Sequence, residues 1–165
     1  MSTESSQNNA LRRVRTIAEY QFGAGAGEGL FPEGCEFILS TTGRIRQVMY
    51  NGHRLATLRA QDGLFTLSIQ GGSRLKMVLP PPRSRVILNE EVAAFVAQGK
   101  NTFAKHVLDA DPDIRCGDEV LVVTTDDRLL ATGSAVLSGR EMLSFNYGVA
   151  VKVRQGSESR CSQEK

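Results

Sequence analysis

The run Arg85–Val123, RVILNEEVAAFVAQGKNTFAKHVLDADPDIRCGDEVLVV, with its continuation Leu129–Arg154, LLATGSAVLSGREMLSFNYGVAVKVR, decides the fold. Arg85–Leu88 is a short apolar run with β-branched members and predicts a strand. Asn89 followed by Glu90 and Glu91 predicts a helix start, the Asn side chain as cap and the acids against the positive end of the helix dipole. Val92, Phe95 and Val96 are the expected buried stripe of that helix, and Gly99 its end. Residues 100–106 then make a loop, Gly117-Asp118 a turn before the apolar run Glu119–Val123, and Asp126-Asp127 a turn into a strand over 128–137. Ser138 is placed to cap a short helix over 139–145. Tyr147-Gly148 lead into an alternating strand over 149–153, with Lys152 and Arg154 facing one way. Such a pattern presents a positively charged edge rather than a bond-making constellation.

Upstream, Pro80-Pro81-Pro82 removes three backbone donors and predicts a short, stiff, extended joint that neither helix nor sheet can cross. Before it, residues 35–79 read with period two. Strands are expected at 37–39, 44–50, 54–59, 64–69 and 73–79, with turns at Asn51-Gly52, at Gln61-Asp62-Gly63 and at Gly71-Gly72. Leu11, Val14, Ile17, Ala18 and Phe22 recur at helical spacing, so a helix over 10–22, capped by Asn8 or Asn9 and ended by Gly23, packs on this antiparallel meander. Residues 1–9 and 157–165 are polar and are expected to be disordered tails. The organisation expected is therefore an α+β domain over 10–79, the proline linker 80–82, and a second domain over 83–156.

Composition narrows the function classes. The chain has 165 residues, 41% of them hydrophobic, with 16 glycines and no Trp, which fits two small β-rich domains. Residues 10–82 hold nine Lys and Arg against five Asp and Glu, whereas residues 83–156 hold nine against ten. The second half must segregate its charges to make any basic face, and the basic excess of the first half predicts that it helps to hold the same ligand. Cys35, Cys116 and Cys161 are scattered and odd in number, with no CxxC pair, so neither a disulfide framework nor a metal site is expected. A reducing cytoplasm suits them, and the polar N-terminus predicts no signal peptide and no membrane anchor.

The glycine run Gly23–Gly29, GAGAGEG, has the density of a phosphate-binding loop, but it follows a helix instead of a strand and is expected to be a connector between helical turns. His53 stands alone beside a hairpin turn. Neither paired carboxylates nor a nucleophile motif appears, so no catalytic residue and no cofactor are expected.

The order strand, helix, Gly99-Lys100-Asn101-Thr102-Phe103-Ala104-Lys105-His106-Val107, then Cys116-Gly117-Asp118-Glu119-Val120, Ala131-Thr132-Gly133-Ser134-Ala135 and Gly148–Arg154 resembles the PUA domain, named for pseudouridine synthases and archaeosine transglycosylases. Residues 13–23, RVRTIAEYQFG, extended by 27–32, resemble the domain that precedes PUA in archaeosine tRNA-guanine transglycosylase, in archaeosine synthase and in small archaeal stand-alone proteins. The likeness does not reach the catalytic barrel of the transglycosylase, with its aspartates and zinc cysteines. It implies an N-terminal helix on an antiparallel sheet followed by a PUA β-pseudo-barrel with short helices. It also implies a non-catalytic role in tRNA modification, in which the first PUA helix, the loop after it and the last strand meet the acceptor stem of a tRNA. On that basis Gly99, Lys100, Asn101, Thr102, Phe103, Lys105, His106, Lys152, Arg154 and Arg85 are the expected RNA-binding residues, with Phe103 expected to plug the barrel and base stacking as its alternative. The chemistry agrees, since long cations on a loop and a strand edge suit phosphates. The expected partners are RNA, above all tRNA, and a separate tRNA-modifying enzyme that the exposed face of the first sheet would dock.

Overall fold

The computed structural model describes residues 2–159, and the chain divides into two compact units between Leu79 and Pro80. Cys161 lies outside the described residues, as does the part of the expected C-terminal tail beyond residue 159.

The first unit begins with α1 (Ser2–Phe22), whose buried positions Leu11, Val14, Ala18 and Phe22 keep the predicted helical spacing. The expected disordered tail over 1–9 is corrected: from Ser2 the chain already belongs to α1, although residues 3–9 are exposed on every side. Those polar residues bury nothing and are helical as an extension of the turns that Leu11 and Val14 anchor. Gly23, at φ 110, ends α1. A short α2 (Ala26–Leu30) follows, then β1 (Glu36–Leu39), β2 (Ile45–Tyr50), β3 (His53–Leu58) and β4 (Phe65–Leu67) in an antiparallel sheet of that order. The Asn51-Gly52 hairpin forms as expected, both residues at positive φ.

Two features of this unit follow from side chains that fasten backbone. The Glu19 carboxylate accepts hydrogen bonds from the amides of Gly25 (2.9 Å) and Gly27 (3.2 Å). The chain's own carboxylate thus occupies the amides that a phosphate would use, and the glycine run is a connector. At the β4 edge, Gln21 donates to the Phe65 carbonyl (2.9 Å) and accepts from the Phe65 amide (2.7 Å), so α1 covers that end of the sheet. The opposite edge strand, β1, leaves Ile38 and Leu39 exposed.

The strand expected over 73–79 is a helix instead, α3 (Ile69–Val78). Ser68 caps it, accepting from the Gly71 amide at 3.1 Å, and Leu75 and Leu79 are buried one turn apart. Gly71-Gly72 is no turn but the first turn of this helix, where it lies on β3. A Cβ at Gly71 would collide with the Leu55 carbonyl oxygen, so glycine sets how closely α3 can approach the sheet.

The second unit opens on the prolines, which do not extend as a stiff connector. Arg83 and Arg85 amides donate to the Pro80 and Pro82 carbonyls, and the Ser84 amide donates to Asp111, folding the segment into a turn. Then come β5 (Arg85–Leu88), a 3-10 turn (Glu90–Val92) capped by Asn89, α4 (Ala93–Ala97), β6 (Thr102–Phe103), a second 3-10 turn (Ala104–His106), β7 (Val107–Ala110), β8 (Glu119–Val123), β9 (Leu129–Ala135), α5 (Gly139–Ser144) and β10 (Val149–Gly156). The sheet order is β6-β10-β9-β8-β5-β7, antiparallel except for the parallel pair β5–β8. Its two outermost strands, β6 and β7, are consecutive in the chain and joined by a single turn, so the sheet curls into a nearly closed pseudo-barrel. Val86, Leu88, Val96, Val120, Val122, Met142 and Val151 fill it, each such side chain contributing roughly 1.5–3 kcal/mol on burial.

Ser138 caps α5 in a full capping box with Glu141. Residues 157–159 are not a loose tail: the Ser157 amide donates to the Leu130 carbonyl, and the Glu158 amide donates to that of Ala97 at 2.7 Å.

Candidate nucleic-acid interface

The edge expected to be basic is built where α4 ends. Gly99, at φ 103, reverses the chain, and the Gly99 and Lys100 amides donate to the Val96 and Phe95 carbonyls. The loop then lies down along β10. The Asn101 side chain accepts from the Val153 amide (3.0 Å), Thr102 and Phe103 pair with Val151 and Val149, and the Ala104 amide donates to the Gly148 carbonyl (2.9 Å). From Val153 to Gly148 this seam runs about 17 Å at the usual strand rise. Gly156 closes its far end, since a Cβ there would collide with the Ala97 carbonyl oxygen.

Lys100 stands at one end of the seam and Lys105 at the other, with Lys152 on β10 between them; all three are exposed, and no hydrogen bond or ion pair engages their side chains among the described residues. Arg154 is exposed too, but it forms an ion pair with the buried carboxylate of Glu119. It is therefore held in place by β8 and is less free than the lysines. Several acids of this unit are spent on turns: Asp111 accepts from Ser84 and Asp113, Asp118 from Arg115, and Glu141 from Ser138. The seam gathers Lys100, Lys105 and Lys152 although the unit as a whole is slightly acidic.

Four expectations need correction. Arg85 is 1% exposed and cannot reach a ligand. Its Nε and Nη2 donate to Asp127 at 2.7 and 3.3 Å, and its Nη1 donates to the Arg83 carbonyl, because the first residue of β5 points inward. Phe103 does not plug the barrel: strand alternation turns Thr102 inward, 1% exposed, and Phe103 outward. Thr102 therefore cannot touch RNA as an exposed side chain. Phe95, expected in the buried stripe of α4, is 60% exposed; Ala93, Val96 and Ala97 take the buried face.

Phe95, Thr102 and Phe103 converge on a cavity. It has a volume of about 390 Å³ and is lined by Leu88, Val92, Phe95, Val96, Thr102 and Phe103, together with Lys100, Asn101 and half-buried His106. The walls are mostly apolar and aromatic, with few polar groups, the composition usual for a small-ligand pocket. The Thr102 hydroxyl is buried with no hydrogen-bond partner among the described residues, which costs about 1–3 kcal/mol. Sequence reading found the loop but missed the cavity, because it placed Phe95 and Phe103 on the wrong sides of their elements. It also missed the exposed pair Phe145 and Tyr147; their i, i+2 spacing just before Gly148 was the available signal.

Among the described residues no group of His, Cys, Asp or Glu could hold a metal ion, and Cys35 and Cys116 are free thiols. No helix is long and apolar enough to cross a membrane.

Comparison with known proteins agrees with this architecture. Residues 12–82 match the patch-forming domain C2 of tRNA-guanine transglycosylase, and residues 84–156 match the PUA domain. The chain is 57% identical over 150 residues to the tRNA-guanine(15) transglycosylase of Pyrococcus abyssi, a match covering 91% of this chain and 25% of that protein. It is 47% identical to that of Methanothermobacter thermautotrophicus, covering 88% of this chain and 22% of the relative. The chain thus spans about a quarter of the length of the curated relatives it matches. Among solved structures, a hypothetical protein of Pyrococcus horikoshii superposes with a TM-score of 0.71 at 22% identity, covering 91% of both chains. A conserved PUA domain protein of Thermoplasma acidophilum superposes with a TM-score of 0.64 at 18% identity, covering 93% of this chain and 91% of that one. The chain therefore belongs to the PUA-domain proteins, its PUA domain preceded by a C2 domain of the tRNA-guanine transglycosylase type.

Proposed function

We propose that this chain is a non-catalytic RNA-binding protein that recognises a structured tRNA, at its acceptor stem, in the service of tRNA modification. The observation that carries the reading is the seam of Gly99–His106 along β10, where Lys100, Lys105 and Lys152 are exposed and unengaged beside an apolar cavity. The lysines meet phosphates across a duplex groove, where shape rather than sequence is read. The cavity takes one base at the end of the stem, with Asn101 and His106 as the polar groups of its lining. The names of the relatives, tRNA-guanine(15) transglycosylases, support the class of RNA.

Electrophoretic mobility shifts with tRNA, a stem-loop of its acceptor arm and an unstructured RNA test the reading. Preferential binding of tRNA and the acceptor arm at low salt, weakening steeply as salt rises, is expected. Absence of binding to every structured RNA at low salt refutes it.

A second reading has its own support. The edge strand β1 of the first sheet leaves Ile38 and Leu39 exposed. An accessory role follows, in which the first unit docks a separate tRNA-modifying enzyme. Co-purification of such an enzyme that survives nuclease treatment supports this role, and loss of the enzyme on nuclease treatment contradicts it.

A further inference from the structure

The aromatic pair Phe145 and Tyr147 lies outside the seam and its cavity, yet its surroundings give it a ligand. The capping box of Ser138 and Glu141 starts α5, and fully buried Met142 fixes it to the barrel. Phe145 then leaves the helix in extended conformation (φ −98, ψ 140), and Gly148 at φ 88 turns the chain into β10. The chain bends over residues 146–148, and the two rings come to lie with centroids 6.2 Å apart and planes within 21°. Both are exposed, Phe145 by 41% and Tyr147 by 79%. Two parallel aromatic faces on a tightly anchored segment lose little freedom when a flat ligand stacks on them.

Charge identifies that ligand. Tyr147 precedes Gly148, whose carbonyl takes the Ala104 amide, so the pair sits just past the end of the β6–β10 ladder, beside exposed Lys105. Arg140 on α5 is exposed as well. Aromatic faces next to free cations are the arrangement that holds single-stranded nucleic acid, the cations on phosphates and the rings on bases. Duplex RNA keeps its base faces stacked internally, so only unpaired nucleotides can use such a platform.

We infer that Phe145 and Tyr147 form a stacking platform for unpaired nucleotides that flank the duplex held along β10, a contact separate from the cavity at α4. The inference rests on the RNA-binding reading above.

Fluorescence anisotropy with two RNAs that share one duplex, one blunt and one with a short single-stranded extension, tests it. Wild type is compared with Phe145→Ala/Tyr147→Ala and with Tyr147→Phe, which keeps the ring; circular dichroism checks the fold of each. The expected result is a loss of about tenfold in affinity for the extended RNA in the double variant, with the blunt duplex unaffected and Tyr147→Phe close to wild type. Quenching of tyrosine fluorescence by the extended RNA is also expected, since the chain has three Tyr and no Trp. Unchanged affinity of the double variant for the extended RNA, or an equal loss on both RNAs, overturns the inference while leaving the RNA reading intact. So does a double variant that binds RNA normally but no longer captures a partner protein. Failure of wild type to bind either RNA at low salt overturns both.

Discussion

Two cationic regions of the PUA domain look alike in the sequence and behave as opposites in the structure. At the start of β5, Arg85 is buried and gripped by Asp127 and the Arg83 carbonyl. Along β10, Lys100, Lys105 and Lys152 are exposed, and no side-chain partner engages them among the described residues. The first cation is part of the fold, and the second set is available for a ligand. A charge becomes a binding group only when the protein's own acids have left it unused, and in this domain Asp127 takes Arg85 and Glu119 takes Arg154. Arg154 stands between the two cases, exposed but tied to Glu119.

The contrast can be broken most forcefully at the buried end. Arg85→Ala should cost about 3 kcal/mol of stability, because it strips Asp127 of a bidentate partner and leaves a void. Urea unfolding measures the loss, and RNA affinity of the folded protein should stay as in wild type. A drop in affinity with stability intact would erase the distinction between the regions.

At the open end the effects should invert. Lys100→Glu combined with Lys152→Glu is expected to weaken tRNA binding by roughly 30-fold, about 2 kcal/mol, with stability changed by less than ~0.5 kcal/mol. Filter binding and thermal melting read the two quantities separately.

Thr102→Val sharpens the account of the cavity. Removing a buried hydroxyl that has no partner among the described residues should raise stability by about 1 kcal/mol, with RNA affinity as in wild type. A variant that loses stability would show that the hydroxyl has a partner within the fold.

The cysteines repeat the contrast on a smaller scale, Cys35 buried and Cys116 exposed. Burial pushes the Cys35 thiol from 9.0 up to about 11, against the opposing pull of Arg74 and Arg15. The folded chain therefore keeps a proton that the unfolded chain gives up near pH 9. The associated stability is fully present below that pH and is lost as pH rises through about 11. Unfolding measured across this window should show the decline, and peptide mapping after alkylation at neutral pH should find Cys116 modified and Cys35 protected.

Much of this was legible in the residues. Asn51-Gly52, the Asn89 and Ser138 caps and the alternation of β10 each carry a local signal that tertiary packing did not override. The failures share a cause. A period-two pattern points to a strand over 73–79 and Gly71-Gly72 to a turn before it, whereas Gly71 is what lets α3 lie on Leu55. Helical spacing points Phe95 inward and the family resemblance points Phe103 inward, whereas the structure turns both toward the cavity. Arg85 could not be told from the lysines, since its partner Asp127 lies 42 residues away. Local patterns fix elements and caps; which apolar or charged side chain remains exposed depends on contacts between elements.

The most direct test of the central claim is the salt dependence of tRNA binding in wild type and in Lys100→Ala, Lys152→Ala and their double variant. Each lysine that meets a phosphate should lower the slope of log affinity against log salt by about 1, so the double variant should lose about 2. Slopes identical to wild type in all three variants would contradict the claim that this edge holds the RNA.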